Sequence, residues 1–347
     1  MAGLDKRRAS DFIGMLREMS SEKGKQPVTE DPVQLCTEAI RTCQMASESL
    51  LLRERDAALS KQTYSGCCDT VVAKGKELSL AAETLAADLG ARRGDGICRQ
   101  LALLSEAVCI VTETTAQAVF LVAEKTPGCK KAVPGAVDMY VLNRGRLAVE
   151  TAAAGFTRDV ADQDQILAIA AVIATHLELI REELLSAAHK LKGKKPSDAA
   201  IFLAAANSLS GNAAVLVASI KAFASSPSKE ARTNAHLFAK PTLASLEALI
   251  AFSANEKFLG TPPQVRREVA DYIKPMQAAA LSLVSATTLL IGAAKNVLSS
   301  PGDRSAAEQV ERYREAINTG LHSLLVALKA TRDAKLNGTK MMYEDPE

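Results

Sequence analysis

Seven cysteines and four histidines are the residues of this chain with the chemistry to bind a metal or act as nucleophiles. The cysteines are Cys36, Cys43, Cys67, Cys68, Cys98, Cys109 and Cys129, an odd number with no CxxC spacing among them. Neither a zinc cage nor a disulfide framework is spelled out. Cys36 and Cys43 stand seven apart, as two side chains on one helix face do, and six of the seven lie in apolar-periodic stretches where a thiol acts as a small hydrophobe. Reduced thiols and a cytoplasmic chain are expected. His176, His189, His236 and His322 fall on four different predicted helices. None stands at a helical spacing from a Ser, Cys or carboxylate that would make a triad or a zinc helix. VAKGKELS (72–79) holds a Gly-Lys pair without the rest of a phosphate loop. No catalysis, metal or cofactor is predicted. Arg93-Gly94-Asp95 spells an integrin-recognition tripeptide and Asn337-Gly338-Thr339 a glycosylation sequon, but a cytoplasmic chain has no use for either.

Charge and apolar surface are the remaining means of recognition. The net charge of +2 excludes bulk electrostatic binding to nucleic acid. Basic residues do gather locally: Arg144 and Arg146, then Lys190, Lys192, Lys194 and Lys195, with Lys221 expected nearby. Such a basic helix end suits an acidic protein surface, although cations at a helix C-terminus also simply complement its dipole. The seventh predicted helix has one ordinary seam, Leu243, Leu246 and Ile250, and a second stripe of Phe238, Thr242, Leu249 and Phe252. Two stripes exceed what one side of a helix bundle buries. Phe238, Leu249 and Phe252 are therefore candidates for a self-association face, the other reading being a wide core face.

The elements that must position these residues are helices. The composition is 48% hydrophobic but only 4% aromatic and lacks Trp, which suits close helix packing and not a β-sandwich. In the third helix Ile97, Leu101, Leu104, Val108, Val111, Thr115, Ala118 and Val122 step alternately by four and three. The eighth repeats this from Val265 to Val297 and the ninth from Val310 to Leu328. Breakers near Ser60 and at 90–96, 126–135, 157–165, 192–198, 225–230, 259–263 and 299–303 divide the chain into nine helices, each expected to be roughly 40 Å long. Pro241 should kink the seventh or mark its start. Met276 to Ala294 carries no charge but is rich in Ala, Ser and Thr, and reads as a buried helix rather than a membrane span. MAGLDKRRAS is too polar for a secretory leader. Residues 1–30 read as a separate extension, with a short amphipathic helix after Ser10 and a linker.

Four segments, VTETTAQAVFLVAEKTPG (111–128), PGAVDMYVLNRGRLAVE (134–150), HLFAKPTLASLEALIAFSANEKFLG (236–260) and SLVSATTLL (282–290), resemble the talin rod domain-containing protein (mesoderm development candidate 1) family. The resemblance covers roughly residues 32–335. It implies an all-α, talin-rod-like tandem of nine helices in which a four-helix bundle, 132–260, is inserted into a five-helix bundle, 31–131 plus 261–335. A tail, 336–347, follows. The resemblance further implies F-actin binding and bundling by a homodimer formed through the four-helix bundle, in protrusions or adhesions. The alternative is a monomeric adaptor that takes amphipathic partner helices, such as leucine-aspartate motifs, in a bundle groove. The spacing of Phe202, Ala205, Ala206, Leu209, Ser210, Ala213, Leu216, Val217 and Ile220 also resembles a hidden vinculin-binding helix, although any amphipathic core helix gives nearly the same string.

Overall fold

The computed structural model describes residues 32–51, 63–133, 135–154, 163–336 and 339–340. The expected extension before residue 31, the breaker near Ser60 and residues 341–347 lie outside them. Among the described residues there are nine α-helices: α1 Pro32–Glu48, α2 Tyr64–Ala91, α3 Gly94–Lys125, α4 Met139–Ala154, α5 Gln163–Leu191, α6 Pro196–Ser225, α7 Lys229–Ser253, α8 Arg267–Ser299 and α9 Arg304–Asp333. Short 3-10 turns lie at Ser49–Leu51 and Glu256–Phe258. A small antiparallel hairpin pairs β1 Lys335–Leu336 with β2 Thr339–Lys340 in the register Lys335 to Lys340 and Leu336 to Thr339.

Local chemistry sets several helix ends. Thr63, Ser228 and Asp303 accept hydrogen bonds from the first-turn amides of α2, α7 and α9. Pro196 opens α6, where its missing N–H is no loss. Arg92 closes α2 in the left-handed conformation, φ 54°. The described parts of α1 and α4 are 17 and 16 residues, about 25 Å at the helical rise, against 33 residues in α8. Pro241 does not start α7; the helix begins twelve residues earlier and runs through it. Both Pro241 and Leu237, whose carbonyl loses its amide partner, lie on the exposed face, where water can take the lost bond. The same holds for Pro275, exposed within α8.

The chain divides into two compact units. One comprises residues 32–133 and 261–340 and packs α1, α2, α3, α8 and α9. All eight seam residues of α3 predicted from periodicity are buried. So are Val269, Met276, Ala279, Leu283, Ala286, Leu290 and Ala293 of α8, and Val310, Ile317, Leu321, Leu324 and Leu328 of α9, while Tyr272, Val297 and Tyr313 are half-buried. The C-terminal half of α3 is enclosed almost all round, with Thr112, Thr114, Thr115 and Gln117 buried. Thr112 and Thr115 donate to the carbonyls of Val108 and Val111 in their own helix, which is how polar side chains are tolerated there. The seven cysteines are free thiols; Cys36, Cys43, Cys67 and Cys109 are buried. Burial first, and Cys109 second, push the Cys43 thiol well above its usual range.

The other unit, Gly135–Gly260, is an up-and-down ring in which α4, α5, α6 and α7 each pack on the next and α7 closes on α4. Asp138 caps α4 by accepting from the Tyr140 amide at 2.9 Å, and its own amide donates to Glu183 Oε1 of α5 at 2.8 Å. Where the chain enters and leaves this unit, Ala136 N–H donates to the Phe258 carbonyl at 2.7 Å. A methyl on Gly135 would run into the backbone at Leu259 and Gly260, so glycine is required there.

Candidate functional site

The basic residues sit on three helices of the four-helix unit, α4, α5 and α6, and on the turn between the last two. Gly145 lets α4 approach α5 closely, since a Cβ there would meet Ile180 at 2.7 Å. This sets Arg144 and Arg146 beside α5. Arg144 is exposed and close enough to His176 to depress that imidazole's pKa, which burial already lowers. Arg146 is half-buried and bonds Glu150 at 2.8 Å. Lys190, in the last turn of α5, and Lys192, Lys194 and Lys195, on the turn between α5 and α6, are all exposed, and the Lys194 and Lys195 amides close the helix on the Leu191 carbonyl. Lys221 does not join them. It lies near the other end of α6, 26 residues beyond Lys195 and roughly 39 Å away along the helix. The connected patch is Lys190 to Lys195, with the two arginines lower on the same α4–α5 flank.

The three residues assigned to self-association separate as well. Phe238 is 44% exposed. Leu249 is buried in the core. Phe252 is half-buried in an aromatic cluster, its ring 5.4 Å from Phe202 and 5.1 Å from Phe258, with Phe202 and Phe258 5.0 Å apart. Thr242, from the same stripe, is fully buried. The second stripe is thus mostly a wide core face, and Phe238 with its neighbour Leu237, 48% exposed, is what reaches the surface. Lys257, which periodicity could not single out, caps the cluster: its Nζ lies 4.6 Å from the Phe258 ring centre and 2.9 Å from Asp198 Oδ1.

Sequence reasoning missed the outer face of α6. Its inner face is as predicted, with Phe202, Ala206, Leu209, Leu216 and Ile220 buried. Yet Ile201, Leu203 and Val215 are 46%, 48% and 51% exposed. Among the described residues three helices are long and apolar enough to cross a membrane by length and composition, α3, α6 and α8. In α3 the most apolar stretch is 78% buried and in α8 50%, but in α6 only 22%. The signal was present in the absence of any charge from Ala199 to Ile220. The tripeptide at Arg93 straddles the start of α3, with Arg93 Nε 3.5 Å from Asp88 of the preceding helix. VAKGKELS lies inside α2, its Gly75 packed against Leu321.

Residues 137–256, within the four-helix unit, match the family model of the Talin IBS2B domain. Curated relatives include talin of Oscarella pearsei, 26% identical over 85% of this chain and 12% of that protein. Talin-2 of Mus musculus is 24% identical over 86% of this chain and 13% of its own length. Talin-1 of Gallus gallus is 22% identical over 85% and 11%. The chain therefore spans 11–13% of the length of the curated relatives it matches. Its fold is an all-α, talin-rod-like helical bundle.

Proposed function

We propose that the chain is a non-enzymatic cytoskeletal scaffold that binds and bundles F-actin as a homodimer formed through its four-helix unit. The likeness to talins supports the cytoskeletal, cytoplasmic setting, and within it the reading places the chain at actin protrusions or adhesions. The observation that carries the reading is that one unit holds both an exposed run of four lysines, Lys190 to Lys195, and an exposed aromatic, Phe238, on another helix. A filament is acidic along its length, so a basic bundle end docks on it electrostatically. Two-fold pairing then doubles the filament sites per particle, which is what cross-linking requires.

Co-sedimentation with F-actin tests the basic end. Lys192→Glu, Lys194→Glu and Lys195→Glu together should weaken binding at least tenfold, and raised salt should weaken the wild type in the same direction. Binding indifferent to both removes the patch. Light scattering of the chain and of Phe238→Asp tests the dimer; a wild type that is monomeric at tens of micromolar ends the bundling mechanism.

The rival reading, a monomeric adaptor for amphipathic helices, is favoured by one feature of the five-helix unit. Helices α2 and α9 pack together through Gly75 and Leu321 and through the Ser79 hydroxyl bonded to Asn318. Along them Leu80 and Val326 are 64% and 54% exposed, with Lys76 and Lys329 also exposed. That mixture suits an acidic amphipathic peptide, and a fluorescent leucine-aspartate peptide that saturates the wild type but not Leu80→Asp would establish it.

A further inference from the structure

Thr126, Ser226, Thr261 and Ser300 each precede a proline. A proline-directed protein kinase takes such a pair in extended conformation, because proline offers no N–H to be left unpaired in the pocket that follows the acceptor hydroxyl. The fold separates the four. Thr126, where α3 ends, is 2% exposed. Thr261 has both its backbone groups bonded to Val133. After Ser300 the chain folds back at once: the Ser300 carbonyl accepts the Asp303 amide at 3.1 Å, and Gly302 takes φ 113°. Ser226 differs from all three. It leaves the helical region at φ −145°, ψ 81° as α6 ends, and Ser228, at φ −141°, ψ 160°, is extended. Ser226, Pro227, Ser228 and Lys229 are all exposed.

We propose that Ser226 is the phosphorylation site of a proline-directed serine/threonine kinase that also selects a cation three residues after the acceptor. Lys229, the first residue of α7, supplies that cation. The residue in the same place after Ser300 is Asp303, an anion that already caps α9. Charge at a fixed distance from the acceptor is one means by which kinases discriminate substrates. Both features the kinase reads follow the acceptor, on the extended side, so α6 need yield no more than its last residues, and helix ends open most readily. In the transfer the bond from Ser226 Oγ to the γ-phosphorus of ATP forms as the bond from that phosphorus to its bridging oxygen breaks. ADP keeps the electron pair, and the hydroxyl proton passes to a carboxylate of the kinase. Residues 221–232 carry three cations, Lys221, Lys229 and Arg232, against one anion, Glu230. A phosphate, at about −1.5 to −2, brings this turn from positive to near neutral. A kinase can thereby set the charge of the α6–α7 turn without touching the lysines between α5 and α6.

The test treats the folded full-length chain with ATP and each of two purified proline-directed kinases. One selects a basic residue three after the acceptor; the other is indifferent to it. Intact mass and peptide mapping read the product. The first kinase should add one phosphate, on Ser226, and Ser226→Ala should abolish the addition. Pro227→Ala should slow incorporation about tenfold or more with either kinase. Lys229→Gln should slow the first about fivefold and leave the second unchanged. Ser300→Ala should alter neither rate. A peptide of residues 219–233 should be modified at most about tenfold faster than the chain, the difference being the fraying of α6. Ser226 left unmodified while Ser300 or Thr261 takes the phosphate would overturn the assignment, as would incorporation at Ser226 that survives Pro227→Ala. A peptide that is modified while the folded chain is not would overturn it too, by showing that the fold closes the segment to a kinase.

Discussion

His176 is half-buried on α5, and burial together with the Arg144 charge lowers its pKa from the usual 6.5. The unfolded chain therefore takes up this proton at a higher pH than the folded one. Below about pH 6.5 the unfolded state binds more protons, so stability falls as pH falls through that range and is fully present above it. The four-helix unit should unfold at lower urea at pH 5 than at pH 7, and His176→Gln, neutral at both, should narrow the gap. An unchanged gap would place the acid sensitivity elsewhere. Tyr64 gives a second residue-scale case. Its hydroxyl donates to the Leu328 carbonyl at 2.8 Å and joins residues 264 apart, and burial raises its pKa well above the usual phenol value. Removing one buried hydrogen bond without leaving a donor stranded costs about 1 kcal/mol. Tyr64→Phe should lower stability by about that much in urea titrations, with the slope unchanged.

Among the elements, α6 and α7 depend on the aromatic cluster at one end of their bundle. Phe258 is fully buried on a single 3-10 turn, against Phe202 from α6 and Phe252 from α7, and its carbonyl also receives the Ala136 amide. Phe258→Ala should cost about 3–5 kcal/mol, measured as a shift of the four-helix unit's unfolding midpoint. A loss under 1 kcal/mol would mean that the end does not hold the unit together. The elements were legible because the seams of α3, α8 and α9 repeat a spacing that only a helix brings to one face. Less was legible of the candidate site. Periodicity names a face but not the packing opposite it, so Leu249 and Phe252 read as surplus until the Phe202 and Phe258 rings are placed beside Phe252. Lys221 joined the patch only because the hairpin's reach was left out. The exposed face of α6 was read as half of a core helix, since an apolar helix and an unpartnered one spell the same string. Polar threonines hid the opposite case in α3, where hydroxyls satisfied by the preceding turn sit in a full core.

At the scale of the molecule, the five-helix core draws on residues from Cys36 to Ala334, yet no described residue of Gly135–Gly260 contributes to it. The chain leaves and re-enters that unit at one place. Val133 and Thr261 exchange two backbone hydrogen bonds of 3.0 Å, and Lys130 and Gln264 exchange two of 2.9 and 3.0 Å. Each is an isolated antiparallel bridge, and the doubly bonded pair at residues 133 and 261 stands as the pair that closes a two-residue hairpin turn does. Replacing residues 134–260 with Asn-Gly should leave the five-helix unit folded, with high helicity, dispersed amide resonances and one cooperative thermal transition. In the full chain two transitions are expected, because two cores that share no residue unfold as two units. Phe258→Ala should move one of them. Leu101→Ala, in the other core, should move the second by about 2–5 kcal/mol. A shortened chain that keeps its helicity but loses resonance dispersion would show that the inserted unit is part of what orders the five helices. A single transition shifted by both substitutions would show the same coupling from the intact chain. Independent folding would let the shortened chain serve as a direct probe: whatever self-association it loses belongs to the four-helix unit.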